Sequence, residues 1–333
     1  MRVGIVGATG MVGQNIMTIL KEVKFPISEL MLMASEKSVG IIIDHAGFKS
    51  TVISIEEGLK QTLDIVFFAA GGAVSEAYAQ QFAEQKSYVI DNSSAFRMLD
   101  HIPLIVPEVN GNTLTKEDYL ISNPNCSTSQ LVMALSPLSK RYGLNQVIVS
   151  TYQSVSGSGV AGIDQLEREE KGEVFDIDNS CYTSPIYRNV VPHIDTFLDN
   201  GYTKEEIKLM EESKKILGLP TLKISATAVR VPVIIGHSES VTIILKEAFE
   251  NIQELKNVLN DQEGVIVEDQ PEKFIYPTPL KAAHQNEVYV GRIRADLQDP
   301  KTMHCWVVSD NLRKGAAYNA VQIAQLLHRN FLS

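Results

Sequence analysis

Cysteine is scarce in this chain. The three that occur in 333 residues, Cys126, Cys181 and Cys305, are an odd number at no metal-ligand spacing. They supply neither a disulfide framework nor a metal centre, and such usage suits a reducing cytoplasm. Positive charge is also short: 30 Lys and Arg stand against 40 Asp and Glu, a formal net charge of -10. That balance argues against nucleic acid or an anionic membrane as the partner, since both attract basic surfaces. It leaves room for an anionic small molecule, which needs only a local positive cluster. No apolar run is long enough to span a bilayer, and Met1 leads into a strand-like segment rather than a signal peptide. The expectation is a cytoplasmic chain with no membrane partner. No repeat or low-complexity tract interrupts it, and its length suggests two domains with sizeable cores.

What is present begins with a strand. Residues 2–6 are followed by Gly7-Ala8-Thr9-Gly10-Met11-Val12-Gly13 and then by helical periodicity over 14–23. A strand, a glycine-rich turn and a helix make the phosphate cradle of the dinucleotide fold. The glycines permit the tight turn, the close approach of a pyrophosphate and close helix–sheet packing. The pyrophosphate then rests on the helix N-terminus. A second strand over 30–34 ends in Ser35-Glu36-Lys37-Ser38. Two hydroxyls and a lysine suit the 2′-phosphate of NADP, whereas Glu36 would suit the ribose diol of NAD. Further buried strands are expected at 64–70, before Gly71 and Gly72, and at 87–91, before Asn92-Ser93-Ser94-Ala95-Phe96-Arg97. Ligands of such sheets sit outside the carboxyl ends of the strands, which places Gly71, Gly72 and Arg97 near a cofactor.

The chain then reaches Asn123-Pro124-Asn125-Cys126-Ser127-Thr128, followed by apolar residues at helical spacing. Cys126 is expected where a loop feeds the first turn of a helix. Unpaired amides and the positive dipole end favour a thiolate there, and the thiolate is the nucleophile. A buried thiol that merely packs has no use for this polar collar.

Beyond it the pattern changes. A strand over 146–152 leads into Gln153-Ser154-Val155-Ser156-Gly157-Ser158-Gly159, then a helix at 163–170 and an irregular stretch, 171–195, of a length that suggests a surface arm or subunit contact. Thr203 and Glu206 form a capping box, which leaves Glu205 to share a helix face with Lys208. Strands are expected at 222–224, 229–235, 241–245, 288–295 and 306–308, with a helix at 252–260. The mixture suggests a largely antiparallel sheet with helices on one face. A final helix over 315–331 is expected to return to the nucleotide domain. Arg230 and His237 fall at the two ends of the apolar 229–235 run, on opposite faces of a straight strand unless Pro232 and Gly236 bend it. His237 reads as a loop-tip imidazole, available as base and acid. A dinucleotide domain, an activated cysteine and a histidine together suggest oxidation or reduction at the aldehyde level through a thioester.

Along nearly its full length the sequence resembles the bacterial-type aspartate-semialdehyde dehydrogenases. GATGMVG, VIDNSSAFR, VPEVN, SNPNCST, TYQSVSGSG, EEIK, RVPVIIGHSES and DNLRKGAA carry the likeness. The resemblance implies a Rossmann-type NADP-binding domain (1–125 with a C-terminal helix from about 312) and an α+β catalytic and dimerisation domain (126–311). It implies that Cys126 is the nucleophile and His237 the acid/base. Gln153 would orient the acyl group, Arg230 would hold the substrate carboxylate and Glu205 would meet its ammonium group. Arg97 and Lys208, with Asn125, would hold phosphate. Gly7, Thr9, Gly10, Met11, Val12, Ser35, Lys37, Ser38, Gly72, Ser156, Gly157 and Asn311 would serve NADP. The reaction implied is NADPH-dependent reduction of L-aspartyl 4-phosphate to L-aspartate 4-semialdehyde and phosphate, feeding lysine, threonine and methionine synthesis, in a homodimer without a metal. The related reductase of N-acetyl-glutamyl phosphate would share the cysteine and histidine, but an acetylated amine gives Glu205 nothing to pair with. Glyceraldehyde-3-phosphate dehydrogenase sets its cysteine differently. A nucleotide sensor without catalysis would gain nothing from Cys126 and His237.

Overall fold

The run Arg2–Val6 alternates no polar residue into its interior, as a strand covered on both faces requires. The computed structural model of the chain describes residues 1–332, in two units: Met1–Asn125 with the segment from Ala316 onward, and Cys126–Gly315. The first unit opens with β1 (Arg2–Val6), α1 (Met11–Glu22) and β2 (Glu29–Met33), then a hairpin of β3 (Ile42–His45) and β4 (Phe48–Thr51). There follow α2 (Ile55–Gly58), β5 (Ile65–Phe68), α3 (Gly72–Glu84), β6 (Tyr88–Asp91), α4 (Pro107–Asn110) and β7 (Leu120–Ser122). Five of these strands form a parallel sheet in the order β2-β1-β5-β6-β7. The order reverses between β1 and β5, and such a switch point opens a crevice at the carboxyl ends of the strands.

The second unit begins with α5 (Cys126–Tyr142), β8 (Leu144–Gln153), α6 (Val160–Glu170) and α7 (Lys204–Leu217). It continues through β9 (Lys223–Arg230), β10 (His237–Leu245), α8 (Ile252–Asn260), β11 (Val265–Val267), α9 (Pro279–Ala282), β12 (Val288–Ala295) and β13 (Thr302–Ser309). Its mixed sheet runs β11-β12-β13-β10-β8-β9, antiparallel at the three central pairings and parallel at the two outer ones. Helices α5, α7 and α8 pack against it. Period-two alternation turns Val147, Val149, Thr151 and Gln153 of β8 inward and leaves Ile148 and Tyr152 exposed. The Tyr152 and Trp306 rings meet at 5.3 Å. Helix α7 carries the expected capping box, with Thr203 and Glu206 bonded reciprocally, and ends on Gly218 in the left-handed conformation.

The chain then returns to the first unit as α10 (Tyr318–Leu327). Ala317, Ala320, Val321, Ala324 and Leu327 pack with Val3, Ile5, Ile16 and Ile19 in one buried cluster. Burial of each large aliphatic side chain contributes about 1.5–3 kcal/mol. Among the described residues no helix is long and apolar enough to cross a membrane.

Two local expectations are corrected. The strand over 229–235 does not exist as such: β9 stops at Arg230, and β10 starts at His237. Pro232 has no N–H to give a ladder, Val233 N–H turns back to Val231 O at 2.8 Å, and Gly236 stands at φ +97°. Arg230 and His237 therefore belong to different strands on either side of β8. Nor is His237 a loop-tip imidazole, because Gly236 turns the chain directly into the sheet and buries it completely. The 171–195 stretch, for its part, is tied to α6. Gln165 Oε1 accepts the Cys181 and Tyr182 N–H groups, and Glu169 Oε2 accepts those of Ile186 and Tyr187.

Candidate active site

At the end of β1 the three glycines of the turn have separate tasks. Gly7 has φ +84°, and a Cβ there would lie 2.5 Å from Ala69 O. A Cβ on Gly13 would lie 2.4 Å from Gly7 O, so α1 packs on the turn only without one. Gly10 is exposed, a Cβ there would make only an ordinary contact with Gly7 O at 3.4 Å, and it caps α1 with no side-chain bond. Uncapped amides with room before them suit a phosphate. Gly71 and Gly72, at the start of α3, have nothing within 4 Å of a Cβ position among the described residues.

These turns border a cavity of about 460 Å³ whose wall includes Gly7, Thr9, Gly10 and Ser35. Glu36, Glu56 and Tyr78 line it as well. Tyr78 donates to Glu56, which raises the phenol's pKa and lowers the carboxyl's. Met11 and Val12 open α1 beside the cavity. Lys37 and Ser38 lie in the short turn Glu36–Ser38 and do not line it. The cavity's glycine turn and uncapped helix start offer amide donors to phosphate groups, and Glu36 and Glu56 add acceptors.

The carboxyl ends of β6 and β7 are held by a polar lattice within the same unit. Asp91, fully buried, accepts from Ser75 Oγ at 2.7 Å and from Ser93 Oγ at 2.7 Å. Asn123 Nδ2 donates to Asn92 Oδ1 at 2.9 Å, and Asn319 Nδ2 donates to Asn123 Oδ1 at 2.7 Å. Arg97 is buried and donates to Asn92 O at 2.8 Å. Asn125, also buried, ends the first of this unit's two segments.

The second unit starts on Cys126, half-buried as the first residue of α5, and none of the three cysteines is in a disulfide. A Cβ on Gly315 would lie 2.7 Å from Cys126 Cβ, so this glycine backs the cysteine. The sheet beneath α5 presents one row of polar side chains. Ser309 pairs with His237, and Gln153 pairs with Arg230. One step along from the Ser238–Tyr152 pair, His237 stands beside Gln153. Cross-strand neighbours project to one face, so Ser309, His237, Gln153 and Arg230 line up across β13, β10, β8 and β9. All four are buried.

Each is held. Gln153 Nε2 donates to Glu205 Oε1 and to Thr151 Oγ1, both at 3.3 Å. Arg230 Nη1 donates to Ser154 O at 2.7 Å, its guanidinium lies 5.7 Å from the Tyr182 ring centre, and its Nε has no partner among the described residues. Lys208 meets Asp195 at 2.6 Å and Glu205 at 3.5 Å. Burial pushes the Asp195 carboxyl up, but Lys208 and the Thr196 N–H outweigh it and hold it low. Ser154 N–H donates to His237 Nδ1 at 3.0 Å. That bond occupies the Nδ1 lone pair and assigns the imidazole proton to Nε2, which is buried without a partner among the described residues. Burial, then the nearby Arg230 charge, push the His237 pKa well down, against a smaller opposing effect of the Gly236 backbone. The ring is neutral at pH 7.

Ser156, Gly157 and Asn311 sit with this cluster. Asn311 Oδ1 accepts from Ser154 Oγ, Ser156 Oγ and the Gly236 N–H at 2.9–3.2 Å, so it ties the 154–156 loop to the turn before His237. Gly157 lies against Arg230 and His237: a Cβ there would be 2.8 Å from Arg230 Nη1 and 3.3 Å from His237 Nε2. Sequence reasoning did not single out Ser154 for the histidine, Asp195 or Ser309. Ser154 adjoins Gln153 in an already suspect loop, whereas Asp195 lies in an irregular stretch that offers no periodic signal.

Two family models match the chain. Residues 2–117 match the family model described as semialdehyde dehydrogenase, NAD binding domain, and residues 135–314 match semialdehyde dehydrogenase, dimerisation domain. The aspartate-semialdehyde dehydrogenase of Bacillus subtilis is 43% identical over 99% of this chain and 98% of its own. That of Aquifex aeolicus is 45% identical over 98% and 97%. The crystal structure of aspartate semialdehyde dehydrogenase II from Vibrio cholerae superposes with a TM-score of 0.93 at 40% identity, covering 99% of both chains, and the same enzyme has been solved in complex with ASA. The Candida albicans enzyme, solved with NADP, has a TM-score of 0.79 at 26% identity over both full chains.

Proposed function

The chain belongs to the aspartate-semialdehyde dehydrogenase family, and on that premise we propose that it reduces L-aspartyl 4-phosphate to L-aspartate 4-semialdehyde through a thioester on Cys126. The observation that carries this reading is the polar row His237–Gln153–Arg230 in a unit that begins on Cys126. The start of α5 favours the Cys126 thiolate. The thiolate attacks the acyl carbon, the C–O bond to phosphate breaks, and a thioester remains. A bound nicotinamide cofactor supplies the hydride that the thioester carbon accepts. The resulting oxyanion collapses to the aldehyde and returns the thiolate.

The polar row has a task at each point. Arg230 offers its buried fork to the substrate carboxylate. Gln153, held by Glu205, orients the acyl group. Glu205 meets the ammonium group, which favours an aspartyl over an acetylated substrate. Arg97, Lys208 and Asn125 serve the phosphate. His237 points its Nε2–H at developing negative charge and steadies it. A carboxylate on Arg230 would offset one of the two causes that hold the His237 pKa down.

NADP is the cofactor in this reading, supported by the hydroxyls and cation of Ser35, Lys37 and Ser38. NAD is the second reading, favoured by Glu36 and Glu56 in the cavity wall. A second copy of the chain would cover the exposed sheet face around Ile148, Tyr152 and Trp306. The setting is cytoplasmic biosynthesis of the aspartate-derived amino acids. The test is phosphate-dependent oxidation of aspartate semialdehyde with each cofactor in turn. Activity that requires phosphate and vanishes in Cys126→Ala supports the proposal; turnover that survives in Cys126→Ala refutes it.

A further inference from the structure

Glu239 lies on β10 two residues past His237, on the same face of the sheet. It is fully buried, yet among the described residues neither carboxyl oxygen meets a hydrogen-bond partner. Burial pushes its pKa well above the ordinary carboxylate range, and the Gln130 amide, facing it from α5, pulls weakly the other way. Among the described residues Gln130 Nε2 has no bonded partner of its own, and its amide is near enough to Glu239 to influence the carboxyl. Gln130 Oε1 accepts from Ser309 Oγ at 2.7 Å, and Ser309 is the cross-strand neighbour of His237. Gln130 also stands four residues after Cys126, on the same face of α5.

The surroundings add little charge. Across β10, Glu239 pairs with Thr151 of β8 and Val307 of β13, neither of them titratable. Cys305 of β13 is held as a thiol, its pKa pushed up to about 12, above all by burial. His237 on β10 itself is neutral, and Cys126 lies one turn before Gln130 on α5. No step of the proposed reaction uses Glu239.

We propose that Glu239 is a positioning residue: as an uncharged carboxylic acid it completes, through Gln130 and Ser309, a polar tie that fixes the first turns of α5, and with them Cys126, against the sheet row carrying His237. A neutral carboxyl offers one donor and one acceptor, so it satisfies the Gln130 amide in either orientation. A carboxylate would only accept, and would place a negative charge beneath the helix end that has to favour a thiolate. This inference rests on Cys126 being the nucleophile.

The test uses Glu239→Gln and Glu239→Leu in a Cys181→Ser background, which removes the exposed thiol. The full-length protein is alkylated with iodoacetamide from pH 6 to 10, the rate at Cys126 is read by mass spectrometry, and kcat, KM and melting temperature are measured in parallel. Glu239→Leu is expected to slow alkylation and kcat about tenfold or more, with KM little changed, because a small misplacement of the nucleophile is costly. Glu239→Gln, uncharged and able both to donate and to accept, is expected to restore both and to keep the parent pH profile. The proposal is overturned by a Leu variant with parent kcat and alkylation profile, or by a Gln variant that melts like the parent yet is as slow as Leu. Should the Leu variant not fold, the Gln profile decides alone, a parent-like one in support and a tenfold slower one against. Alkylation needs no turnover, so failure here is distinct from failure of the thioester mechanism, which Cys126→Ala tests.

Discussion

Gly157→Ala adds one methyl group at the back of the polar row. The backbone at Gly157 is not left-handed, so alanine fits it without conformational strain. The new Cβ would lie 2.8 Å from Arg230 Nη1, 3.2 Å from His237 Cε1 and 3.3 Å from His237 Nε2. The first contact is roughly 0.7 Å inside the ordinary carbon contact distance. The imidazole cannot retreat far, because Ser154 N–H holds its other nitrogen. The guanidinium has to yield, and its 2.7 Å bond to Ser154 O is then stretched or lost. A hydrogen bond to a charged group contributes about 1.5–3 kcal/mol. If the same displacement is felt by a bound carboxylate, kcat/KM falls about 10- to 100-fold, since each 1.36 kcal/mol or so is tenfold. The assay is phosphate-dependent oxidation of aspartate semialdehyde, with KM for the semialdehyde separated from kcat, alongside a melting curve. The loss should appear mainly in KM, with the melting temperature lowered by no more than a few degrees. A folded Gly157→Ala enzyme with wild-type kcat/KM would remove Arg230 and its setting from the substrate site.

Three more expectations come from the same geometry. The folded chain keeps His237 neutral, whereas the unfolded chain protonates it below about pH 6.5, so stability should fall as pH drops through that value, by up to about 1.4 kcal/mol per unit. Urea unfolding at pH 7 and 5.5 checks this, and His237→Gln should lose part of the acid dependence; equal slopes in the two proteins would show that burial does not hold the ring neutral. Thr203→Ala removes the acceptor of the Glu206 N–H and one half of the capping box, which should cost about 0.5–2 kcal/mol in a urea titration. Glu36→Ala takes one carboxylate from the cavity wall and should raise the NADPH-to-NADH ratio of kcat/KM severalfold; a ratio that does not move would place the cofactor's adenosine end elsewhere.

Much of the fold was legible because its signals are local. The glycine turn after residues 2–6, the buried strands of the first sheet and the capping box at Thr203 all declare themselves within a few residues. The hairpin of β3 and β4 did not: its turn uses Ala46 at φ +52° before Gly47, and alanine is not a turn signature. The strand expected at 229–235 failed because apolar β-branched residues also suit a buried connection, and Pro232 was read as a bend rather than as an end. Individual site residues stood out by type. Their arrangement did not, because Arg230 and His237 become neighbours of Gln153 only through pairing of β9 and β10 with β8, which no spacing along the chain encodes. Nothing along HSES marks Glu239, since only the completed sheet and α5 remove it from water.

The first core is assembled from both ends of the sequence, with residues 317–327 packed among strands laid down before residue 125. A ribosome therefore finishes the middle unit before it can complete the earlier one. Until the final helix emerges, a flank of Val3, Ile5 and Ile16 stays uncovered in the nascent protein. Premature stops near the end of the message should thus spoil the part of the protein translated first, and leave behind a sticky intermediate rather than a merely shortened enzyme.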